Sequence, residues 1–422
     1  MGEDVLMALI EDLFKKRSSS LVLLGGNTGS GEHADAIYKK ISDLAGGKNG
    51  KIGVITSAND PYDWDRKERG EFADDSDAKN SKMAANRYIK RFKQQGVKAE
   101  WIPIDLANKP LANAKDLAKR IDKGEFTGFF FGGGKQTYHL ECLSSETNGV
   151  RIDSLVLKAI RTKFKEGKMM IAGTSAGAVI HSSDIMILGG KSNHAIIRGS
   201  HEEYKSGGSK LKYTRNEGFG FFDYGMIDSH FSQRGREGRI IRLASDTEMD
   251  MTYGIDEATA LVVKKANERN ARMEVVGLNG VQIFDLKEAK SKINKQGLWS
   301  IRNVKSTYLT DGDQYAPHKD KVTFSSNKKA LLNREMYRGE LRPSKDIFSA
   351  RKGARNEFIN TALNLVNTLR LKTASGFTRS KNIDYKVIFK QTKQTKAYYK
   401  QQNIKRDIAY TGLKINIRPK SK

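Results

Sequence analysis

Between residues 20 and 263 the chain alternates short unbroken apolar runs with stretches in which apolar residues return every three or four positions. Five of the runs are SLVLLGG from Ser20, KIGVITSA from Lys51, KAEWIPID from Lys98, TGFFFGGG from Thr127 and KMMIAGTS from Lys168, each ending in glycine or a polar turn. Unbroken runs of this length suit strands covered on both faces, closed by residues that turn easily. Helical periodicity lies between them, around Ala34–Leu44, Ser81–Gln94, Leu111–Asp122 and Ile152–Glu166. Strands alternating with helices predict the α/β class, a doubly wound, mostly parallel sheet sandwiched by helices, with functional groups at the carboxyl ends of the strands.

Past Ile283 the texture changes to Lys, Asn, Gln and Thr with short alternating runs such as YKVIFKQTKQT and AYTGLKINIRPKSK, and residues 345–372 read as helical. FINTALNLVNTLRL carries enough apolar residues to pack, so a small folded module is expected there. The opening MGEDVLMALIEDLFKKRSSS reads as an amphipathic helix; its acidic start and the interrupting Glu11 and Asp12 are wrong for a secretory signal. The expected organisation is an N-terminal helix over 1–19, a catalytic body over 20–285 and a basic C-terminal extension over 286–422.

Charge sharpens that division. Residues 281–422 hold 32 Lys and Arg against 11 Asp and Glu, a surplus of 21, out of a net charge of +26 for all 422 residues. A polyanion contact is therefore a question for residues 286–422 and not for the body. The single cysteine, Cys142, excludes an intrachain disulfide and a multi-cysteine metal site. It fits a reducing compartment, so the cytoplasm is the expected location, with a secreted form whose signal has been removed left open. No apolar run is long enough for a membrane span.

The run ending at residue 174 leads into G-x-S-x-G, Gly173 to Gly177, followed by AVIHSS. A serine hydroxyl needs a base to take its proton and must project towards substrate; a strand, a sharp turn of small residues and a helix provide that projection. Taken alone, the five residues fit a tight small-residue turn equally well. Partners occur downstream: His230 within DSHFSQRGREGR, and Glu257 at the end of GIDE. An imidazole beside the hydroxyl is a general base, and a carboxylate on its far nitrogen fixes the tautomer. The order Ser, His, Glu differs from the Ser, acid, His order of α/β-hydrolases.

GTSAGA at Gly173–Ala178, D-x-HF-x-x-RGR-x-x-R from Asp228 to Arg239 and GIDE at Gly254–Glu257 together resemble the cyanophycinase branch of the Ser-His-Glu peptidases, of which dipeptidase E is a shorter relative. The resemblance covers roughly residues 20–285. It implies a class I glutamine amidotransferase-like sandwich, a triad of Ser175, His230 and Glu257, and no cofactor or metal. It further implies an oxyanion site at the backbone of Ala176 and of Gly133 or Gly134, with Gln136, Asp228, Ser229, Arg234, Arg236 and Arg239 as substrate contacts. Lys135 and Ser229 depart from the family pattern, which usually has Asn or Asp and Gln there.

The substrate so implied is cyanophycin, a polyaspartate backbone with arginine on each side-chain carboxyl, cut to β-Asp-Arg dipeptides. Its carboxylates suit arginine forks and its guanidinium suits an acid, Asp228. The alternatives are a related peptidase acting on α-aspartyl or other short peptides, and a polyanion-binding protein working through residues 286–422; a homodimer is admitted by all of them. Arg236, Arg239 and Arg242 also recur every three positions, as a solvated helix face would. LGGNTGSGE from Leu24 fits no nucleotide-binding pattern and reads as a strand-end turn near the cleft. The acidic stretch NDPYDWDRKERGEFADDSD from Asn59 reads as a solvated loop or a lid.

Overall fold

A computed structural model of the chain describes residues 18–69, 80–204, 208–336, 340–351, 354–379, 383–402 and 405–420. The expected N-terminal helix and the second half of the acidic stretch lie largely outside these residues. All five apolar runs are strands: β1 Ser20–Leu24, β2 Lys51–Ile55, β3 Lys98–Ile102, β4 Gly128–Phe131 and β5 Met170–Thr174. They pair in parallel in the order β1-β5-β4-β2-β3. Beyond β1 the sheet continues antiparallel through β8 Thr259–Lys264 and β9 Arg272–Gly277 to two short edge strands, Gln314–Ala316 and Lys321–Thr323.

The helices are α1 Glu32–Leu44, α2 Tyr62–Arg69, α3 Ser81–Gln94, α4 Lys115–Asp122, α5 Gln136–Leu143, α6 Leu155–Lys165, α7 Ala176–Val179, α8 Ser192–Arg198, α9 Glu237–Asp246 and α10 Glu357–Val366. Strand side chains alternate between the two faces of the sheet, so each apolar run feeds two cores. Val22, Leu24, Ile52, Val54 and Phe130 pack with Ile37, Tyr38 and Ile41 of α1 and Phe92 of α3. Leu21, Leu23, Ile55, Phe129 and Phe131 pack on the opposite side with Val156 and Ile160 of α6 and with a second sheet.

That second sheet has the strand order β6-β7-β10-β11-β15-β13-β12. Its strands are β6 Met226–Asp228, β7 Met251–Ile255, β10 Gly280–Asp285, β11 Trp299–Thr310, β12 Thr373–Phe377, β13 Tyr385–Lys390 and β15 Lys405–Pro419, and β14 Lys396–Gln402 pairs with β15. The sheet crosses the boundary expected at residue 285, because β10 pairs with β11 from Gly280↔Thr310 to Asp285↔Lys305. Tyr308, Tyr410, Leu413 and Ile415 of the basic third are buried in the same core as Ile255 and Phe284.

Three predicted helices are shorter than their periodicity; Leu111–Asp122 yields α4 alone, after a separate 3-10 turn over Lys109–Asn113 and an extended Ala114. Residues 345–372 yield only α10, which begins where the Asn356 side chain accepts from the Ile359 N–H, while Asp346–Arg351 runs in turns over the loop before α9. Ile152–Glu166 yields α6, capped by Ser154, because residues 150–153 pair instead with Ser144–Thr147. Among the described residues no helix is long and apolar enough to cross a membrane.

Candidate active site

The first strand ends in three successive carbonyls that organise the site. Leu24 O accepts from the N–H of Ser175 at 2.9 Å, Gly25 O from His230 at 2.7 Å and Gly26 O from Ala258 at 3.0 Å. Three segments far apart in sequence are thereby pinned to consecutive residues of one chain. The turn that follows contributes Asn27, whose Nδ2 donates to Glu257 Oε2 at 2.9 Å.

Ser175 stands between β5 and α7 with φ 54° and ψ −117°, a strained conformation for a residue with a side chain. The residues two before it and two after it must be glycines. A Cβ on Gly173 would lie 1.9 Å from Gly177 O, and one on Gly177 would lie 2.1 Å from Phe131 O. His230 and Ala258 also hold positive φ, 46° and 55°. Strain thus gathers at the three pinned segments.

The side chains of Ser175, His230 and Glu257 meet in one line. Ser175 Oγ lies 2.8 Å from His230 Nε2, and His230 Nδ1 lies 2.7 Å from Glu257 Oε1. Burial lowers the pKa of His230 to about 4 against the opposing hydrogen bond of Glu257, and the charges of Arg234 and Arg236 assist burial. Burial alone would raise Glu257, but hydrogen bonds from Asn27 and His230 outweigh it and hold the carboxyl below its ordinary value. Gln233 Oε1 accepts from the Glu257 N–H at 2.9 Å and Asn279 Nδ2 donates to Glu257 O at 2.9 Å. Cys142 is buried elsewhere, and burial pushes its thiol up to about 12, which makes it inert as a nucleophile.

Beside Ser175 opens a cleft of about 110 Å³ whose walls include Gly134, Gln136, Ala176, Ser229, Arg234 and Arg236. Gln136 is anchored through Nε2 to Ile187 O at 2.8 Å. Of the two expected glycines Gly134 is on the cleft wall, and Gly133 packs against the nucleophile, where a Cβ would lie 3.2 Å from Ser175 Cβ. Lys135 turns to Tyr138, with Nζ 2.7 Å from the phenol oxygen.

Asp228 corrects an expectation. It was to meet a substrate guanidinium, yet its carboxylate is fully buried and already engaged. It accepts from Arg239 Nε and Nη2 at 2.8 and 2.7 Å, from Arg236 Nη1 at 2.9 Å and from the Ser229 N–H at 2.9 Å. Burial would raise its pKa, but Arg239 and then Arg236 hold it below the ordinary carboxylate value. The solvated-face reading of the arginines also fails. Arg239 is 4% and Arg242 8% exposed; Arg242 bonds Asp246 and Ile196 O and lies over Trp299. Arg234 alone is exposed, with no side-chain partner among the described residues.

The basic third reaches this region. Tyr308 Oη donates to Asp256 Oδ2 at 2.6 Å, whose Oδ1 accepts from the Ser232 N–H at 2.8 Å. Asn356 Nδ2 donates to the buried Glu237 at 2.8 Å, and the Arg351 N–H donates to Gln233 O at 3.0 Å. Asn27, Gln233, Tyr308 and Asn356 were missed by sequence reasoning. Only Asn27 carried a signal, its place just past a strand end on the side where ligands gather.

The chain is similar in sequence to known peptidases. Residues 77–270 match the model of peptidase family S51. The chain is 25% identical to a cyanophycinase of Geminocystis herdmanii over 301 residues, 70% of this chain and 93% of that protein. It is 24% identical to one of Trichormus variabilis over 302 residues, 71% and 86% of the two chains. To one of Synechococcus elongatus it is 27% identical over 275 residues, 64% and 71%. With an elbow serine, an imidazole and a carboxylate in line, the chain is a serine-type, cyanophycinase-like peptidase that is similar to family S51 over residues 77–270.

Proposed function

We propose that the chain hydrolyses cyanophycin to β-Asp-Arg dipeptides through an acyl-enzyme on Ser175. His230 Nε2 takes the hydroxyl proton as Oγ attacks a backbone carbonyl, and Glu257 holds the imidazole in the tautomer that can accept it. The tetrahedral oxyanion is received by the N–H of Ala176 and of the Gly133–Gly134 turn, with Gly134 facing the cleft. Collapse breaks the peptide bond and His230 returns the proton to the leaving amine. Water then attacks the ester, giving its proton to His230, which passes it to Ser175 Oγ as the ester bond breaks and the carboxylate product leaves.

Arg234, Arg236 and Arg239 set a positive field in the cleft for the substrate's carboxylates, and Gln136 and Ser229 line its polar wall. Asp228 acts by organising the arginines: two buried guanidiniums share one buried carboxylate, so their forks are held in place before substrate arrives. The sandwich is read as class I glutamine amidotransferase-like, a reading supported by the parallel run of strands and the elbow at the end of β5. What carries the functional reading is the unbroken line from Ser175 Oγ to His230 to Glu257 at 2.8 and 2.7 Å.

The test is clearing of insoluble cyanophycin, with products identified by mass spectrometry. Ser175→Ala should abolish dipeptide release while leaving the circular dichroism spectrum and melting temperature unchanged. Undiminished release by that variant would overturn the assignment. Preferential hydrolysis of α-aspartyl dipeptides by the unmodified chain would move the substrate to the short peptides favoured by Lys135 and Ser229.

A further inference from the structure

We propose that a lysine-lined groove in the basic third is an exosite that holds the peptide polymer whose bonds the Ser175 cleft cuts; the inference rests on that reading of the cleft. The groove measures about 1100 Å³, against about 110 Å³ for the cleft. It lies at the other end of the second sheet from the catalytic groups. Ile255, two residues before Glu257, pairs with Val281, whereas Asp285 on the groove wall pairs with Met251 and Lys305. At about 3.3 Å per residue, the four steps from Val281 to Asp285 put the groove ~13 Å along the strand from the catalytic end. A ligand that occupies both sites must therefore be a polymer.

The chemistry of the walls selects the kind of polymer. Lys287, Lys319, Lys321, Lys393 and Lys396 line the groove without an acidic partner among the described residues. Ammonium groups on flexible stems are point charges that accept carboxylates in many registers, which suits a repetitive chain better than fixed forks do. Phe324 and Tyr398 stack at 4.2 Å and 17° within the same wall, both half-buried, presenting a flat aromatic surface for a planar cation such as a guanidinium.

The groove also carries acids: Asp285 and Asp320 beside Lys305, and Glu288 beside Lys414 at 3.2 Å. Three carboxylates on the wall oppose a polyphosphate but can exchange partners with a ligand that itself bears both signs. Free carboxylates and guanidiniums on one flexible backbone meet all three features. Holding such a chain beside the cleft raises its effective concentration there without any new contact at Ser175.

The experiment uses the full chain as Ser175→Ala, cosedimented with washed cyanophycin granules at increasing polymer concentration. It also measures the active chain's initial rates on granules and on a soluble dimer of the repeating unit. The charge reversal Lys319→Glu/Lys321→Glu/Lys396→Glu should raise half-saturating polymer by about tenfold or more and slow granule clearing to match, while dimer turnover stays unchanged. Tyr398→Ala, which alters no charge, should weaken cosedimentation in the same direction.

Equal sedimentation and equal granule clearing by the triple variant, with dimer turnover intact to prove its fold, would overturn the exosite. So would displacement from granules by an oligodeoxythymidine at equimolar charge, since that would make the groove a nucleic-acid site. Failure of the unmodified chain to hydrolyse the dimer would instead overturn the cleft reading, because cosedimentation needs no turnover and judges the groove by itself.

Discussion

Acid should affect this enzyme through His230 in a way that distinguishes it from a peptidase with a solvated base. Burial, against the hydrogen bond of Glu257 and with help from Arg234 and Arg236, takes the imidazole from 6.5 to about 4. Only the neutral imidazole can take the Ser175 proton. Hence kcat/KM is expected to stay level down to about pH 5 and to fall with an apparent pKa near 4. Arg234→Gln removes one assisting charge and leaves burial untouched, so the acid limb should move upward. Because Arg234 is exposed and screened, the movement should stay under about one pH unit.

The same shift bears on stability. Between pH 6.5 and about 4 the unfolded chain binds a proton on this residue that the folded chain refuses. Folding stability therefore falls as pH drops through that window, stops falling below it, and is unaffected by this residue above pH 6.5. At about 1.36 kcal/mol per pH unit the full loss is ~3 kcal/mol. His139 and His181 are also buried and lowered, to about 4 and about 3, so the comparison must be with a variant and not with a fixed reference. Urea unfolding at about pH 7 and about pH 4 should show His230→Gln losing ~3 kcal/mol less than the unmodified chain. An acid limb at 6 to 7, together with equal acid sensitivity of the two proteins, would refute the reasoning.

Other consequences are directly measurable. Glu257→Gln keeps the shape but favours the wrong imidazole tautomer, and should lower kcat on the order of 10³–10⁴-fold with little change in KM. Gly26→Ala would place a Cβ 2.5 Å from both Cε1 and Nε2 of His230 at a φ of +94°, so the ring must move; a loss of about 10²-fold in kcat is expected, read beside a modest fall in melting temperature. Glu237 is pushed up to about 8 by burial, so the folded chain keeps a proton that the unfolded chain releases from pH 4.5 upward, and stability drains as pH rises between those values. Glu237→Gln removes that loss and should be more stable than the unmodified chain at pH 8 by at most ~5 kcal/mol, a gap that closes towards pH 4.5 in denaturant titrations.

What was legible in the sequence was local. Five apolar runs and their closing glycines marked the parallel strands, and small residues around Ser175 marked the elbow, because the physical demand and the residues that meet it lie within a few positions. The arginines show the opposite case. Arg236, Arg239 and Arg242 have the spacing of a solvated helix face, but periodicity reports only which residues share a face, never what covers it. Here the cover comes from Asp228 on the preceding strand and Trp299 on β11. Asn27 and Glu257 are 230 residues apart, and nothing near either announces the other. The basic third follows the same logic. A domain boundary is legible when composition and burial change together, and near residue 283 only composition changes. Outward-facing positions turn to lysine while inward ones remain Tyr308, Tyr410, Leu413 and Ile415, continuing the core laid down by β7 and β10. Charge patterning described the surface of those strands correctly and said nothing of their pairing. Their link to the site, Tyr308 on Asp256 and Asn356 on Glu237, therefore had to come from the fold.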